Sequence, residues 1–435
     1  MGFVALRQNQ PAQSGRSAVV KAAPSTTPRR SARRDCSQRE QFHLPGLSAT
    51  FNRTSLCGTG LPSAFSPAYS PASELLKMNT IGVSIIGCGG ITLQNHLPGL
   101  ALCQDVKVAA LCDNNPATLE QARQQTGVSV SSTSYEEIVR RDDVQAVIIA
   151  TPNVAHPPIA HAAIAAGKHV LSEKPLALNY ADAKGMADAA DQAGVRHMTA
   201  FTYRFVPAMR YLSHLIQQGE MGQPYHYRSC RLQDWGTRNL GWRQVKKLAG
   251  TGELGDMLSH RIDFAHHLLG PMKRLVANLK NLTPLRGGQP NDTEDWVAIL
   301  ADFRNGATGV LESSKLASGR NESWRSLDYV ELNGSEGTFE FTTSKWNELI
   351  AGKVGGPGLK PLPVPKEFWT WPGSPRDPGV GDPLVTFRYD QAFEFIDAIR
   401  NGRPCNPSFH DGARSQQVMD AAVKSATEQR WIDLA

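Results

Sequence analysis

From Ile81 onward, short runs rich in β-branched residues alternate with longer amphipathic stretches. IGVSIIG (81–87), VKVAALC (106–112), VQAVIIAT (144–151), KHVLS (168–172) and VRHMTAF (195–201) are mostly apolar on both faces. That is how strands read when a parallel sheet is covered on both sides. Helical periodicity between them predicts helices near 92–103, 116–126, 135–141, 156–166 and 179–193. The alternation predicts an α/β fold with a doubly wound parallel sheet over residues 78–202.

Beyond residue 202 the rhythm changes. A helix near 206–217 leads to YHYRSCRLQDW (225–235) and then to a long helix near 254–269. Five strand-like runs follow: RLVANLKNL, DWVAILADF, GATGVLESS, LDYVELNG and GTFEFTT. Alternation at period two, with Asn-Gly and Gly-Ser turns, predicts a mostly antiparallel open sheet with one covered face, the mark of a second, α+β domain over 203–435. Residues 352–384, dense in Gly and Pro, predict a long irregular surface excursion, and helices near 388–401 and 411–429 close the chain.

Residues 1–77 follow neither pattern. They are rich in Ser, Ala, Pro and Arg and poor in acids, and read as a disordered leader, either a transit peptide or an over-long start ahead of Met78. The leader holds ten basic and three acidic residues, so the net charge of +6 lies there and the remaining 36 basic and 37 acidic residues nearly cancel. No basic stripe is left for a phosphate backbone, which argues against a nucleic-acid partner. No window approaches 18 uncharged apolar residues, so no membrane span is expected. The seven cysteines show no C-x-x-C spacing, and neither a disulfide framework nor a metal site is expected. A reducing compartment follows: the cytoplasm, or a plastid or other organelle if the leader is a transit peptide.

The first strand runs directly into Gly87-Cys88-Gly89-Gly90-Ile91-Thr92 and a helix. Glycines there let the backbone approach a pyrophosphate, whose charge meets the free N–H groups of the helix start. The second strand ends at Asp113, 26 residues after Gly87, where a carboxylate can reach a ribose 2′-hydroxyl. A carboxylate about 4 Å from a 2′-phosphate repels it by roughly 1–4 kcal/mol, which favours NAD over NADP. Thr92 stands at the third glycine position, so the helix is expected to sit slightly further from the strand.

In the second domain, Asp256, His260, Asp263 and His267 recur at spacings of four, three and four, one stripe of a helix otherwise built for burial. Asp263 and His267 read equally well as a solvated face.

GCGGI (87–91), Asp113, ATPNVAH (150–156), SEKPLAL (172–178), YRFVPAM (203–209), LGDMLSHRID (254–263) and FRYDQAFEFIDAIRNGRP (387–404) together resemble the glucose-fructose oxidoreductase / inositol dehydrogenase / MocA family. The resemblance implies a Rossmann domain contacting nicotinamide cofactor through Gly87, Gly89, Gly90, Ile91, Asp113, Thr151, Pro152, Asn153, His156, Glu173 and Lys174. It places Lys174 where cofactor meets substrate, implies a cis peptide before Pro175, and matches Asp256 and His260 to the family's Asp-x-x-x-His, with Leu258 where many members have Gly. It also implies a homodimer or homotetramer built on the exposed face of the second sheet.

Tyr203, Arg204, Asp234, Trp235, Trp242 and Arg243 suit a sugar, cyclitol or related polyol, with aromatic faces for C–H surfaces and polar groups for hydroxyls. Oxidising such an alcohol leaves a proton to remove. His260 starts near 6.5 and Lys174 near 10.4, so His260 is expected to be the base, oriented by Asp256, with Lys174 as a charged donor to the substrate oxygen. Redox-neutral hydrolysis or elimination with recycled NAD, and a sensor that binds without chemistry, are the competing classes.

Overall fold

The structure, a computed structural model, describes residues 80–322 and 326–434. The expected leader, with Cys36 and Cys57, lies outside the described residues. The five described cysteines are free.

Six strands, β1 (Ile81–Ile86), β2 (Val106–Cys112), β3 (Ser131–Ser132), β4 (Ala146–Ile149), β5 (His169–Ser172) and β6 (His197–Thr199), form one sheet. It is parallel throughout, in the order β3-β2-β1-β4-β5-β6. Every residue of β1 and β4 is buried, which is why these strands read as continuous apolar runs. The covering helices start and stop where local chemistry dictates. The Asn115 side chain accepts from the first-turn N–H groups of the helix Pro116–Thr126, and Gly127, at φ 71°, ends it. Asn179 and Gly194 do the same for Tyr180–Ala193.

The second sheet contains β7 (Pro224–Leu232) and β8 (Met272–Lys280); a small hairpin of β9 (Leu285–Arg286) and β10 (Gln289–Pro290) stands apart from it. Then come β11 (Trp296–Phe303), β12 (Thr308–Ser314), β13 (Leu327–Gly334), β14 (Gly337–Thr342), β15 (Glu348–Lys353), β16 (Lys360–Pro363) and β17 (Ile432–Asp433). The order is β16-β15-β14-β13-β7-β12-β11-β8-β17, antiparallel except for β7 beside β12. Val297, Ile299, Ala301 and Phe303 of β11 are buried while Leu300 is 49 % exposed, so one face is covered and the other open.

Two features depart from the sequence reading. The Gly- and Pro-rich excursion is not irregular throughout: β16 falls inside it and pairs with β15, its Pro361 and Pro363 tolerated because this strand is the sheet edge. The boundary at residue 202 divides the sheets but not the core. In the last long helix, Phe409–Glu428, Phe409 and Ala413 pack with the parallel-sheet layer, and Val418 and Met419 pack beneath the second sheet.

Beneath the second sheet, buried Asp328 lies between two arginines. Arg231 Nη1 donates to it at 2.7 Å, and Arg261 lies 2.5 Å away, off hydrogen-bond geometry. Removing the carboxylate charge leaves two guanidinium groups in a dry interior. Asp328→Asn is expected to cost about 3 kcal/mol or more, read as a lowered urea midpoint at unchanged slope.

Candidate active site

Loops at the carboxyl ends of β1 and β4 line the cleft, as expected where strand order reverses in a doubly wound sheet. Gly87 sits at φ 99°, and a Cβ there would lie 2.4 Å from the Ala150 carbonyl oxygen, so only glycine fits. At Gly89 a Cβ would meet nothing within 4 Å, and at Gly90 only Gln94 at 3.8 Å; both face open space. Thr92 Oγ1 donates to the Gly87 carbonyl at 2.6 Å, so the residue in the third glycine position ties the helix start back to the turn. The first turns of that helix, Thr92–His96, are π-helical.

Asp113 closes the far end of the cleft. Its two carboxylate oxygens accept from the Cys88 N–H at 2.8 Å and the Asn115 N–H at 2.9 Å, which holds the glycine loop against the end of β2. A hollow of about 590 Å³ runs from Asp113 past Pro152. A second, of about 290 Å³, continues to Lys174 and Asp256, and the two share Gly89, Ala150, Thr151 and Trp242.

At the inner end, β5 delivers Glu173 and Lys174. Glu173 Oε1 meets His96 Nε2 at 2.9 Å. Burial alone would raise the Glu173 carboxyl, but His96, Lys174 and His156 together hold it below the usual carboxylate value. The Lys174–Pro175 peptide is cis. Lys174 Nζ donates to the main-chain carbonyl of Asp256 and lies 3.5 Å from its Oδ1. Asp256 belongs to a π-helical segment, Leu254–Leu258, that precedes the helix Ser259–Leu269. Its carboxylate also lies 3.6 Å from Lys315 and 3.8 Å from Arg243. Burial opposes its charge, yet Lys174, Lys315 and Arg243 hold its carboxyl well below the usual range, so it stays ionised.

Residues 81–201 match the oxidoreductase family with an NAD-binding Rossmann fold, and residues 209–340 match the GFO/IDH/MocA C-terminal domain. Levoglucosan dehydrogenase of Pseudarthrobacter phenanthrenivorans is 32% identical over 357 residues, covering 74% of this chain and 88% of that one. The chain belongs to the GFO/IDH/MocA oxidoreductase family. Myo-inositol 2-dehydrogenase of Thermotoga maritima is 26% identical over 354 residues, covering 81% of this chain and 98% of its own. A solved structure of levoglucosan dehydrogenase with NADH and levoglucosan superposes with a TM-score of 0.75 at 30% identity, covering 82% of this chain and 99% of that one.

As a member of this family the chain is an NAD-binding oxidoreductase, and its cleft fits the cofactor. Gly89 and Gly90 leave room for a close approach, and Asp113 lies at the hollow's far end. Of the residues expected to hold it, Gly89, Thr151, Asn153, Glu173 and Lys174 are among those on the cleft walls, with Gly90 and Ile91 beside them and Gly87 and Pro152 towards Asp113. His156 is not on either wall. It is buried, its Nδ1 3.0 Å from the Pro175 carbonyl and its Nε2 3.0 Å from the Thr151 carbonyl, and it joins the two loops from behind.

Of the six residues expected to bind substrate, Trp242 and Arg243 reach the pocket. The other four are committed elsewhere. Arg204 is buried, its guanidinium bonded to Asp263, Asp411 and Asn406. Asp234 accepts from the Gly236 and Gly319 amides, and Trp235 packs between Arg238 and Lys315. Tyr203 is buried with its ring 4.6 Å from that of His260.

Of the two residues that read equally well as a solvated face, Asp263 is buried against Arg204, while His267 is half-buried and lines a separate hollow. One expectation about the helix stripe needs correction. Asp256 does not orient His260: its carboxylate faces the three cations, and His260 Nδ1 is buried without a hydrogen-bond partner. Burial, then Lys174, Arg261, Arg388 and Arg231, push the His260 ring well below 6.5. His96, Glu253 and Lys315 were not expected here. Glu253 stands immediately before the quoted motif LGDMLSHRID, and Lys315 follows directly on a strand-like run, a place where an isolated charge is a usable signal.

Replacing Asp113 by Ser removes the charge that would oppose a 2′-phosphate. The ratio of kcat/KM for NAD over NADP is expected to fall by about tenfold to several hundredfold. Steady-state rates with both cofactors check this.

Proposed function

We propose that the chain moves hydride between a secondary alcohol carbon of a sugar, cyclitol or related polyol and NAD, with Lys174 meeting the substrate oxygen. The observation that carries this reading is the Lys174–Asp256 pair on the wall of a pocket opening directly from the nucleotide cleft. Bound NAD supplies the hydride acceptor or donor. The protein's part is to hold the hydroxyl and move its proton. Asp256 fixes the Lys174 amine through its carbonyl and carboxylate, so the amine is the wall group placed to exchange that proton. His260 contributes a neutral neighbouring ring. Trp242, with Arg243 4.4 Å over its ring, offers an aromatic face to a sugar and a cation to its hydroxyls. The names of two relatives, dehydrogenases of an anhydrosugar and of a cyclitol, support this substrate class.

Sugars, inositols and dihydrodiols screened with NAD and NADP test the reading through absorbance of the reduced nucleotide. Lys174→Met is expected to lower kcat by about 100-fold or more while NADH affinity, followed by fluorescence, stays within about threefold. His260→Gln is expected to keep the wild-type pH inflection, and loss of that inflection returns the base to His260. Turnover without net NADH would move the assignment to redox-neutral chemistry.

We also propose that copies of the chain associate through the open face of the second sheet, where Leu300 is about half exposed and Arg228, aligned with it through Val310, is exposed on β7. Light scattering is expected to give a dimer or tetramer mass, and a monomer mass would overturn this.

A further inference from the structure

Beneath Asp256, away from the pocket, sit two charged side chains that the proposed chemistry does not use. Lys315 follows β12 and is fully buried, and so is Glu253, on the turn just before the π-helical segment. Lys315 Nζ lies 3.5 Å from Glu253 Oε2 and 3.6 Å from Asp256 Oδ2, midway between two carboxylates. The surroundings supply few other partners. Ser313 donates to Glu253 Oε1 at 2.5 Å, Arg231 of β7 adds its charge from the sheet, and the Trp235 ring centre lies 5.6 Å from Lys315 Nζ. Glu294 spends its carboxylate on the Gly252 and Leu254 amides. Glu253 Oε2 and Asp256 Oδ2 accept no hydrogen bond, and Lys315 is the cation within 4 Å that these two oxygens share. A lysine costs several kcal/mol to bury, and one shared between two carboxylates offsets that cost only with both in place.

Resting on the oxidoreductase reading above, we propose that Lys315 and Glu253 form a buried positioning pair that sets how firmly Asp256 holds the Lys174 ammonium. With Glu253 ionised, Lys315 divides its charge between two carboxylates and Asp256 keeps negative field for Lys174. With Glu253 protonated, Lys315 serves Asp256 alone and Lys174 is held more loosely. Burial pushes the Glu253 carboxyl up to about 7, with Lys315 opposing, so the changeover falls near neutral pH. The sign follows: the firm hold exists above that pH and is lost as pH falls through it.

Two readouts on the full chain separate this pair from the function it serves. The first needs no turnover: Lys174 is labelled by acetic anhydride at a fixed alkaline pH and quantified by peptide mass spectrometry. Only the unprotonated amine reacts. Glu253→Gln, which mimics the protonated acid, is expected to label Lys174 about threefold faster or more than wild type; equal rates overturn the proposal. The second is the pH profile of kcat with whichever polyol turns over. Glu253→Gln is expected to lose the inflection near neutrality, with NADH affinity unchanged. A profile superimposable on wild type overturns the proposal. Lys315→Met is expected to lower kcat and Lys315→Arg to restore most of it; equal losses in both would assign Lys315 to packing. If no polyol turns over, the function above fails while the labelling result still decides the pair.

Discussion

The site depends on one contact made across 82 residues of sequence, the Lys174 ammonium at the end of β5 against Asp256 at the start of the second domain's helix. Neither partner is placed by its own element alone. β5 can deliver Lys174 to the carboxyl edge only because β4 and β6 pin it on both sides. The Asp256 carbonyl is turned towards that edge by the segment Leu254–Leu258. Two glycines permit the approach: a Cβ at Gly252 would lie 2.1 Å from the Glu294 carbonyl oxygen, and one at Gly255 would meet Thr251 at 2.6 Å and the Pro175 ring at 3.4 Å. The ring beside Lys174 thus packs on the turn that carries Asp256, so one surface fixes both groups.

Holding charges this way in a partly dry cleft is costly, and the structure meets the cost by sharing. Asp256 faces Lys174, Lys315 and Arg243, and Glu253 brings the second negative charge. On the pocket wall Lys174 and Arg243 stand against Glu173 and Asp256, and beneath it Lys315 stands against Glu253, so the charges balance in pairs. Burial first, and a different set of cations second, push the His260 ring down. Its ring sits among aromatic side chains with Lys174 and three arginines nearby, and every one of those charges disfavours another proton.

The parallel sheet was legible in the sequence because its strands are buried on both faces and leave uninterrupted apolar runs. The glycine turn and Asp113 were legible because a backbone that must approach a ligand admits few side chains. Individual contacts were less so. Arg204 and His156 have the composition of ligand-binding residues, but composition does not say which way a side chain points. Arg204 turned to Asp263 and Asp411, and His156 to two main-chain carbonyls, because each was buried and had to be satisfied where it lay. β16 was hidden for a different reason: Pro and Gly argue against a central strand, and only at a sheet edge do they cease to.

The π-helical turns at Thr92–His96 and Leu254–Leu258 were the least legible features, and they matter most to the site. Over five residues, an i→i+5 turn and an i→i+4 turn place apolar side chains almost alike, so the pattern cannot separate them. Their consequences are not alike. In a regular helix, residues four apart stand on one face, and Asp256 would sit over His260 as its carboxylate partner. Here the two side chains part company. Asp256 is released towards Lys174, Lys315 and Arg243, and His260 is left against Tyr203 without a partner for Nδ1. The carboxylate–imidazole pairing that the spacing suggested is exchanged for a carboxylate–amine pairing between Asp256 and Lys174.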